Sequence, residues 1–429
     1  MSLINFKCRP LMCIIISAIF FFDLMIIFPP FTQGDGYGDY PPATDGDWII
    51  ENDTYVSEEV IVIEGNIEVK NNATLTLENV TLMINSTTKN IHGIYVDGNS
   101  TLNVYNSDIT NLSGPYIFFV DGNMTLESST VSNMMFGIDI EYGDVYIANC
   151  SIFSNNQYNQ YGVRINGSPI LFNNYIHSLH RGIVINYGGA PILINNTITL
   201  NNYGVVSVAF GFATLIGNNI SNNELGGISI ELGYFWFQNN TIFSNGGFGI
   251  NGDHASINAT GNLIYDNERW GIFSWGAPIF HKNNTFQKNG LQNDQGNILL
   301  QWDVLFRVFD HNNEELKDVN LTIYDSHGNV MWSGETIGNI RALQLREYEI
   351  LGDGTELVHT PFTVKVRKGT FTNSTTADIR NNMEVRIVLN TEKKEYKFPF
   401  WGLMVVLGVW LIVLVMVIIG AIVTIKNRK

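Results

Sequence analysis

One pair of residues keeps returning through the middle of this chain. Asn173-Asn174, Asn195-Asn196, Asn218-Asn219, Asn239-Asn240 and Asn283-Asn284 recur, and Gly261-Asn262 fills the remaining place. Taking the first member of each pair, the steps are 22, 23, 21, 22 and 22 residues. A glycine followed by an aliphatic runs in parallel: Gly162-Val163, Gly182-Ile183, Gly204-Val205, Gly227-Ile228, Gly249-Ile250 and Gly271-Ile272. A third element, Pro-Ile, appears at Pro169, Pro191 and Pro278. Self-similarity at this period marks a solenoid, because one repeat cannot bury its own apolar face and needs its neighbours.

The runs between these landmarks choose the type of solenoid. Val163 and Ile165, Ile183 and Ile185, and Ile228 and Ile230 alternate with other residues, the period of a strand with one face inward. The runs are too short and too broken by Gly and Asn for helices, and the Leu pattern of a leucine-rich repeat is missing. Three short strands per turn give a parallel β-helix, with coils stacked at about 4.8 Å. Asn tolerates left-handed backbone angles at a sharp corner, and Gly261 is the other residue that does so readily. Stacked Asn amides also bond one another from coil to coil. A ladder of first positions should therefore break at Gly261, while Asn262 continues a ladder of second positions. The glycine before each aliphatic is expected at another corner, where a Cβ would clash. "VIVIEGNIEVKNNATLTLENVTLMIN" and "FFVDGNMTLESSTVSN" read as looser coils of the same kind, as a capping region would. Residues 55–296 then hold about eleven coils, a rod near ~50 Å long.

The repeated pattern "NNxIxxNxxGIxI" resembles the right-handed parallel β-helix repeat family. That family includes pectin-degrading enzymes, NosD-type periplasmic accessory proteins and many archaeal surface proteins. The resemblance covers more than half of the chain and implies the fold; one scaffold of this kind hosts many activities.

The two ends read differently. Lys7 and Arg9 precede an apolar run from Leu11 to Phe28, which resembles a secretory signal. Asp23 interrupts that run and disfavours a permanent span, since a central Asp costs about 2.5–3.5 kcal/mol. No clear cleavage site precedes Gly34, so residues 1–33 are a signal sequence or a signal anchor, and 34–54 a linker or cap. At the other end, residues 398–425 carry no charge and are followed by "KNRK". Such a segment crosses the hydrocarbon as one helix, with the basic tail 426–429 inside and the bulk outside. Residues 393–425 are thus read as juxtamembrane segment and transmembrane helix, which places the protein at a cell membrane.

From about 299 the repeat stops. Alternating strands separated by the turn signals "HNN" and "SHGN" suggest a small β-sandwich over 297–392. "VFDHNNEELKDVNLTIYDSHGNVMWSGET" resembles carboxypeptidase-regulatory-like or Ig-like surface modules, with "ETIGN" in place of their usual Thr-Asp turn. The expected architecture is all-β: a right-handed parallel β-helix followed by a β-sandwich, between an N-terminal signal segment and a C-terminal transmembrane helix.

Charge narrows the partners. Without the five basic residues at the two termini and Asp23, the middle carries 19 basic against 39 acidic residues. Nucleic-acid recognition needs a basic footprint, so that class is excluded. The chain has three cysteines, two of them in the N-terminal segment, and Cys150 alone offers neither a disulfide nor a metal motif. It reads as a small buried hydrophobe. Sixteen N-x-S/T sequons lie in the expected exterior. Asn52, Asn72, Asn79, Asn85, Asn99, Asn111, Asn123, Asn320 and Asn373 are the candidate glycosylation sites. Of the other seven (Asn149, Asn166, Asn195, Asn219, Asn239, Asn258, Asn283), some are expected to be buried if the Asn pairs are structural. In particular, an amide buried in a ladder at Asn195 carries no sugar.

Candidate chemistry is sparse. Asp139 and Glu141 share a strand face, Asp144 is near, and Arg164 and Arg181 are 17 residues apart. These read as solvated charges rather than a lyase centre. His177 and His180 lie in a turn or at a strand edge, and His254 and His281 are 27 residues apart, with no third metal ligand evident. No catalytic or metal residue is assigned, and no cofactor. The aromatic block Tyr234, Phe235, Trp236, Phe237, with Trp270, Phe273 and Trp275 further on, is more suggestive. Alternate members fill a core, and outward ones present flat faces to sugar rings. Trp236, Trp270 and Trp275 are the candidate glycan-binding residues. The reading is a membrane-anchored, glycosylated extracellular β-helix protein serving adhesion, envelope structure or glycan binding, its partners cell-surface glycans or envelope proteins. The alternatives are a polysaccharide-degrading lyase or hydrolase on the same scaffold, and a NosD-type accessory protein of metal maturation.

Overall fold

A computed structural model describes residues 38–41, 46–87, 89–155, 161–290, 296–335, 342–391, 414 and 416. The N-terminal apolar segment and, but for those last two positions, the segment 398–425 lie outside the described residues. Among the described residues no helix is long and apolar enough to cross a membrane. Between residues 48 and 391 every described element is a strand. The chain divides into two compact units, Met1–Val184 with Ala190–Thr197, and Ile185–Gly189 with Ile198–Lys429.

Both units are built from right-handed parallel β-helix coils of three short strands. In the first unit Ile67–Val69, Thr74–Glu78 and Thr81–Ile84 make one coil, and Gly93–Val96, Thr101–Tyr105 and Asp108–Asn111 the next. Each strand pairs in parallel with its counterpart. Register turns sequence alternation into columns. Ile50, Val69, Val96, Val120, Ile140 and Ile165 sit above one another and are fully buried. Each such side chain contributes about 1.5–3 kcal/mol by leaving water, and β-branched residues suit this stacked surface. Stacking begins at Trp48–Ile50, upstream of the expected boundary at residue 55. In the second unit Val205, Ile228, Ile250, Ile272 and Ile298 form the matching column.

The corners explain the Asn pairs and correct their register. Asn149, Asn173, Asn195, Gly217, Asn239, Gly261 and Asn283 have positive φ, between 52° and 66°. The first-position residue after Asn195 is therefore Gly217, not Asn218, and the steps of 23 and 21 resolve into two steps of 22. Two of these corners use Gly because Gly shares that backbone freedom with Asn. The first position faces solvent, and the second forms the buried ladder. The correction reaches Asn195, whose side chain is exposed, while the ladder amide is the fully buried Asn196.

The ladder satisfies every polar group it buries. Asn174 Nδ2 donates to Asn196 Oδ1 at 2.9 Å and to the Ile147 carbonyl at 2.9 Å. The same pattern joins Asn218, Asn240, Asn262 and Asn284. Below Asn174 the position shrinks without losing its function. Cys150 N–H donates to Asn174 Oδ1, Ser107 N–H to Ser129 Oγ, and Val80 N–H to Ser107 Oγ.

The third Asn of the repeat forms a second ladder, a role not assigned to it from the sequence. Asn201, Asn223, Asn245, Asn267 and Asn289, each 22 residues from the next, are buried and bonded in the same way. It ends on Asn297, which donates to the Leu351 carbonyl at 3.0 Å. This ladder accounts for the glycine series. A Cβ on Gly227 would lie 2.8 Å from the Gly249 carbonyl oxygen and 2.9 Å from Asn245 Nδ2. Gly204, Gly249 and Gly271 meet the equivalent atoms. The expected clash is present, and it arises from close stacking rather than from a positive φ.

Strand Ile298–Phe309 carries the second unit beyond its coils. Ile298–Gln301 pair in parallel with the last coil, at Ile272–Trp275. Val304–Phe309 pair with Met383–Val388, and the strand runs antiparallel to Leu343–Ile350. A separate antiparallel sheet orders Val330–Glu335, Asn320–Tyr324, Phe362–Lys368 and Phe371–Ala377. Trp302, Phe306 and Val308 from the first sheet and Leu321, Ile323, Phe362 and Val364 from the second share one apolar cluster.

Candidate functional site

The second strands of three coils in the second unit place aromatic rings outward. Along Gly226–Gln238, Phe235 and Phe237 point inward and are 1% exposed, while Tyr234 and Trp236 are 54% and 45% exposed. Strand alternation produces this division. Phe212 lies directly beside Tyr234 in register, its ring stacked at 5.9 Å and 9°. Trp236 stands in a column with Thr214, Asn258 and Phe280, and Phe280 is 59% exposed. Ser256 neighbours Tyr234. The result is a face of exposed rings with hydroxyl and amide groups between them. Small side chains behind it make room for the inward rings: Phe235 lies between Ala213 and Ile257, and Phe237 between Leu215 and Ala259.

The other two candidate tryptophans are elsewhere. Trp270 is 4% exposed and offers no face to a ligand. Trp275 is half-buried, its ring 5.3 Å from that of His254. On another side of the same unit a cleft of 260 Å³ is lined by Tyr203, Leu225, Phe248 and Arg269, the guanidinium lying over the Phe248 ring at 5.3 Å.

In the first unit Arg164 makes a bidentate pair with Asp139 on the adjacent coil, one arm 2.7 Å long. Hydrogen bonding to Asp139 raises the Arg164 pKa above its ordinary value. Glu141 accepts from Asn166 in the same two coils. Asp139 and Glu141, read from the sequence as solvated charges, are instead engaged by neighbours, and Asp139 is 6% exposed. Arg181 does not join them; it lies over the Tyr161 ring.

The histidines of the coils do not converge. His177 is sandwiched against Phe153 and Tyr175, and burial lowers its pKa. Burial also lowers that of His281, which stacks near Tyr348. His254 bonds Asp253 at 2.6 Å. Cys150 is buried, its thiol pushed up to about 11 by desolvation.

Of the candidate acceptors, Asn52, Asn72, Asn79, Asn99, Asn320 and Asn373 are exposed, and Asn85, Asn111 and Asn123 half-buried. Asn85 Nδ2 donates to Glu64, and Asn373 Nδ2 to the Val388 carbonyl. The corner residues Asn149, Asn195, Asn239 and Asn283 are exposed as well.

Residues 92–235 match the family model described as right handed beta helix region. No curated protein matches the chain. Among solved structures, the chain is similar to the periplasmic alginate epimerase AlgG at 13% identity and TM-score 0.45, covering 60% of this chain and 76% of that one. It is similar to the Dettilon tailspike protein at 13% identity and TM-score 0.33, covering 71% of each. It is also similar to the A-module of an Azotobacter vinelandii mannuronan C-5 epimerase at 10% identity and TM-score 0.29, over 60% of this chain and 90% of that one.

Proposed function

We propose that this protein binds neutral glycans on the aromatic face formed by Phe212, Tyr234, Trp236 and Phe280, without cleaving them. The observation that carries the reading is that four large rings stay in water within four successive coils, Phe280 standing one coil beyond Asn258, while Phe235 and Phe237 of the same strand turn inward. Exposed apolar patches of this kind mark interaction surfaces. Sugar rings present flat C–H faces edged by hydroxyls, and the face offers rings interleaved with Thr214, Ser256 and Asn258. The strongly acidic exterior disfavours polyanionic polymers. The bidentate pairing of Asp139 with Arg164 engages both the carboxylate and the arginine that a lyase on these coils needs free, which favours a non-cleaving role. The apolar segment 398–425 with its basic tail supports anchoring of the protein at a cell surface, and the exposed sequons support a glycosylated exterior.

The test is retention of the full-length chain on a panel of neutral and acidic polysaccharides, with product analysis for cleavage. Retention on neutral members without products is expected. Trp236→Ala should weaken it about thirtyfold, a loss near 2 kcal/mol typical of a central aromatic contact. Cleavage of any member, or equal retention of Trp236→Ala, would overturn the reading.

A further inference from the structure

The second unit brings together four groups that are far apart in sequence. The turn after strand Asn320–Tyr324 carries Asp325 and His327, and the segment before strand Phe362–Lys368 carries His359. Ser326 N–H donates to the His359 carbonyl at 2.8 Å, and Ser326 Oγ to the Val358 carbonyl at 2.7 Å, so Ser326 joins the two segments through its backbone and its hydroxyl. Asp325 Oδ2 lies 3.2 Å from His359 Nδ1 and 3.7 Å from His327 Nδ1. All three atoms fall within 4.8 Å of one another.

Two further features orient these atoms. His359 Nε2 faces Glu349 Oε1 at 3.0 Å, and Glu349 is held by Arg346 at 3.1 Å. A carboxylate on the far nitrogen fixes the ring, the usual support of a metal-bound histidine, and the near nitrogen becomes a ligand once the proton it shares with Asp325 is displaced. Asp325 is fixed as well: its Oδ1 accepts the His327 and Asn329 N–H groups at 3.0 and 2.7 Å, and Asn329 Nδ2 donates to Oδ2 at 3.0 Å. Asp325, Glu349 and His359 side chains are 1%, 6% and 9% exposed, while His327 is 52% exposed and opens the cluster to solvent.

We propose that Asp325, His327 and His359 bind one zinc ion, with Glu349 as the carboxylate behind His359. Zinc takes nitrogen and carboxylate ligands at about 2.0–2.2 Å, which sets ligands about 3.3–3.5 Å apart in a tetrahedron. The observed 3.2 and 3.7 Å bracket that spacing, and the third edge, between the two histidines, lies within 4.8 Å. The ion clips the Asp325 turn to the segment at His359 and keeps one coordination position open to solvent. The competing arrangement is a proton on His359 Nδ1 shared with Asp325.

The experiment is calorimetric titration of the metal-free full-length chain with zinc chloride, alongside His327→Ala and Asp325→Asn. One zinc equivalent is expected in the parent chain. His327→Ala, exposed and therefore benign to folding, should weaken binding at least about tenfold, with an unchanged circular dichroism spectrum. Absence of stoichiometric uptake, or uptake unaltered in both variants, would overturn the proposal and leave the proton in the site. The outcome is independent of glycan retention.

Discussion

Asn240 Oδ1 accepts both the backbone N–H and the side-chain N–H of Asn218, at 2.9 and 3.0 Å, while Asn240 Nδ2 donates to the Leu215 carbonyl at 2.8 Å. One amide thus makes four buried hydrogen bonds, counting the one Nδ2 donates to Asn262 Oδ1 at 2.9 Å. Asn240→Ala should remove all four and destabilise by about 3–5 kcal/mol in urea titration. Its neighbour Asn239 has φ 55° and is exposed. Asn239→Ala should cost about 1 kcal/mol, and Asn239→Gly next to nothing, since Gly217 and Gly261 hold the same corner. Equal losses at 239 and 240 would contradict this division of labour.

The Gly227 column makes a separate prediction. A methyl group there meets the Gly249 carbonyl and Asn245 Nδ2 inside 3 Å, and neither is a flexible chain end. Gly227→Ala should lower stability by about 1–3 kcal/mol. Gly354→Ala tests the contrast between contact and backbone strain: its Cβ meets nothing, but its φ of 88° resists any side chain. A wild-type melting temperature for Gly227→Ala would refute the stacking argument.

Cys150 should be inert in the native protein. Its thiol is pushed from 9.0 up to about 11, chiefly by desolvation. Alkylation by iodoacetamide at pH 8 should occur only after denaturation. The folded state holds the proton more tightly than the unfolded state. This contribution to stability is therefore complete below about pH 9 and falls by up to about 1.4 kcal/mol per pH unit between 9 and 11. Rapid labelling of native protein at pH 8 would disprove it.

The Arg164 and Asp139 pair should behave as structure. Asp139 is buried, whereas the Arg164 side chain is 35% exposed, which tempers the loss. Arg164→Met should cost about 1–3 kcal/mol by leaving a buried carboxylate without its partner. Adding Asp139→Asn should recover part of that loss, as a double-mutant cycle would register. An additive pair would show the contact to be energetically idle.

The repeat alone made the coil legible. Asn, Gly and alternating aliphatics at a 22-residue period are local backbone preferences multiplied by stacking, and both are written in the chain. What the period did not reveal was which Asn of a pair turns the corner and which is buried. Asn218-Asn219 therefore looked like its neighbours, although Gly217 is the true corner. The third Asn of the repeat was visible, but its role in a second ladder from Asn201 to Asn289 escaped, because a single Asn resembles an ordinary turn residue until its carbonyl partner one coil away is known.

The candidate sites depended more heavily on tertiary structure. Alternation foretold that half of the Tyr234 to Phe237 block would face outward, but not that Trp270 would be buried. Asp325 and His327 sit in what reads as a turn signal, and His359 and Glu349 lie far along the chain on separate segments. Sequence by itself determined the solenoid, because its stabilising contacts repeat at a fixed separation. Only the tertiary structure decided the cluster at His359, because nonrepeating contacts leave no period in the sequence to read.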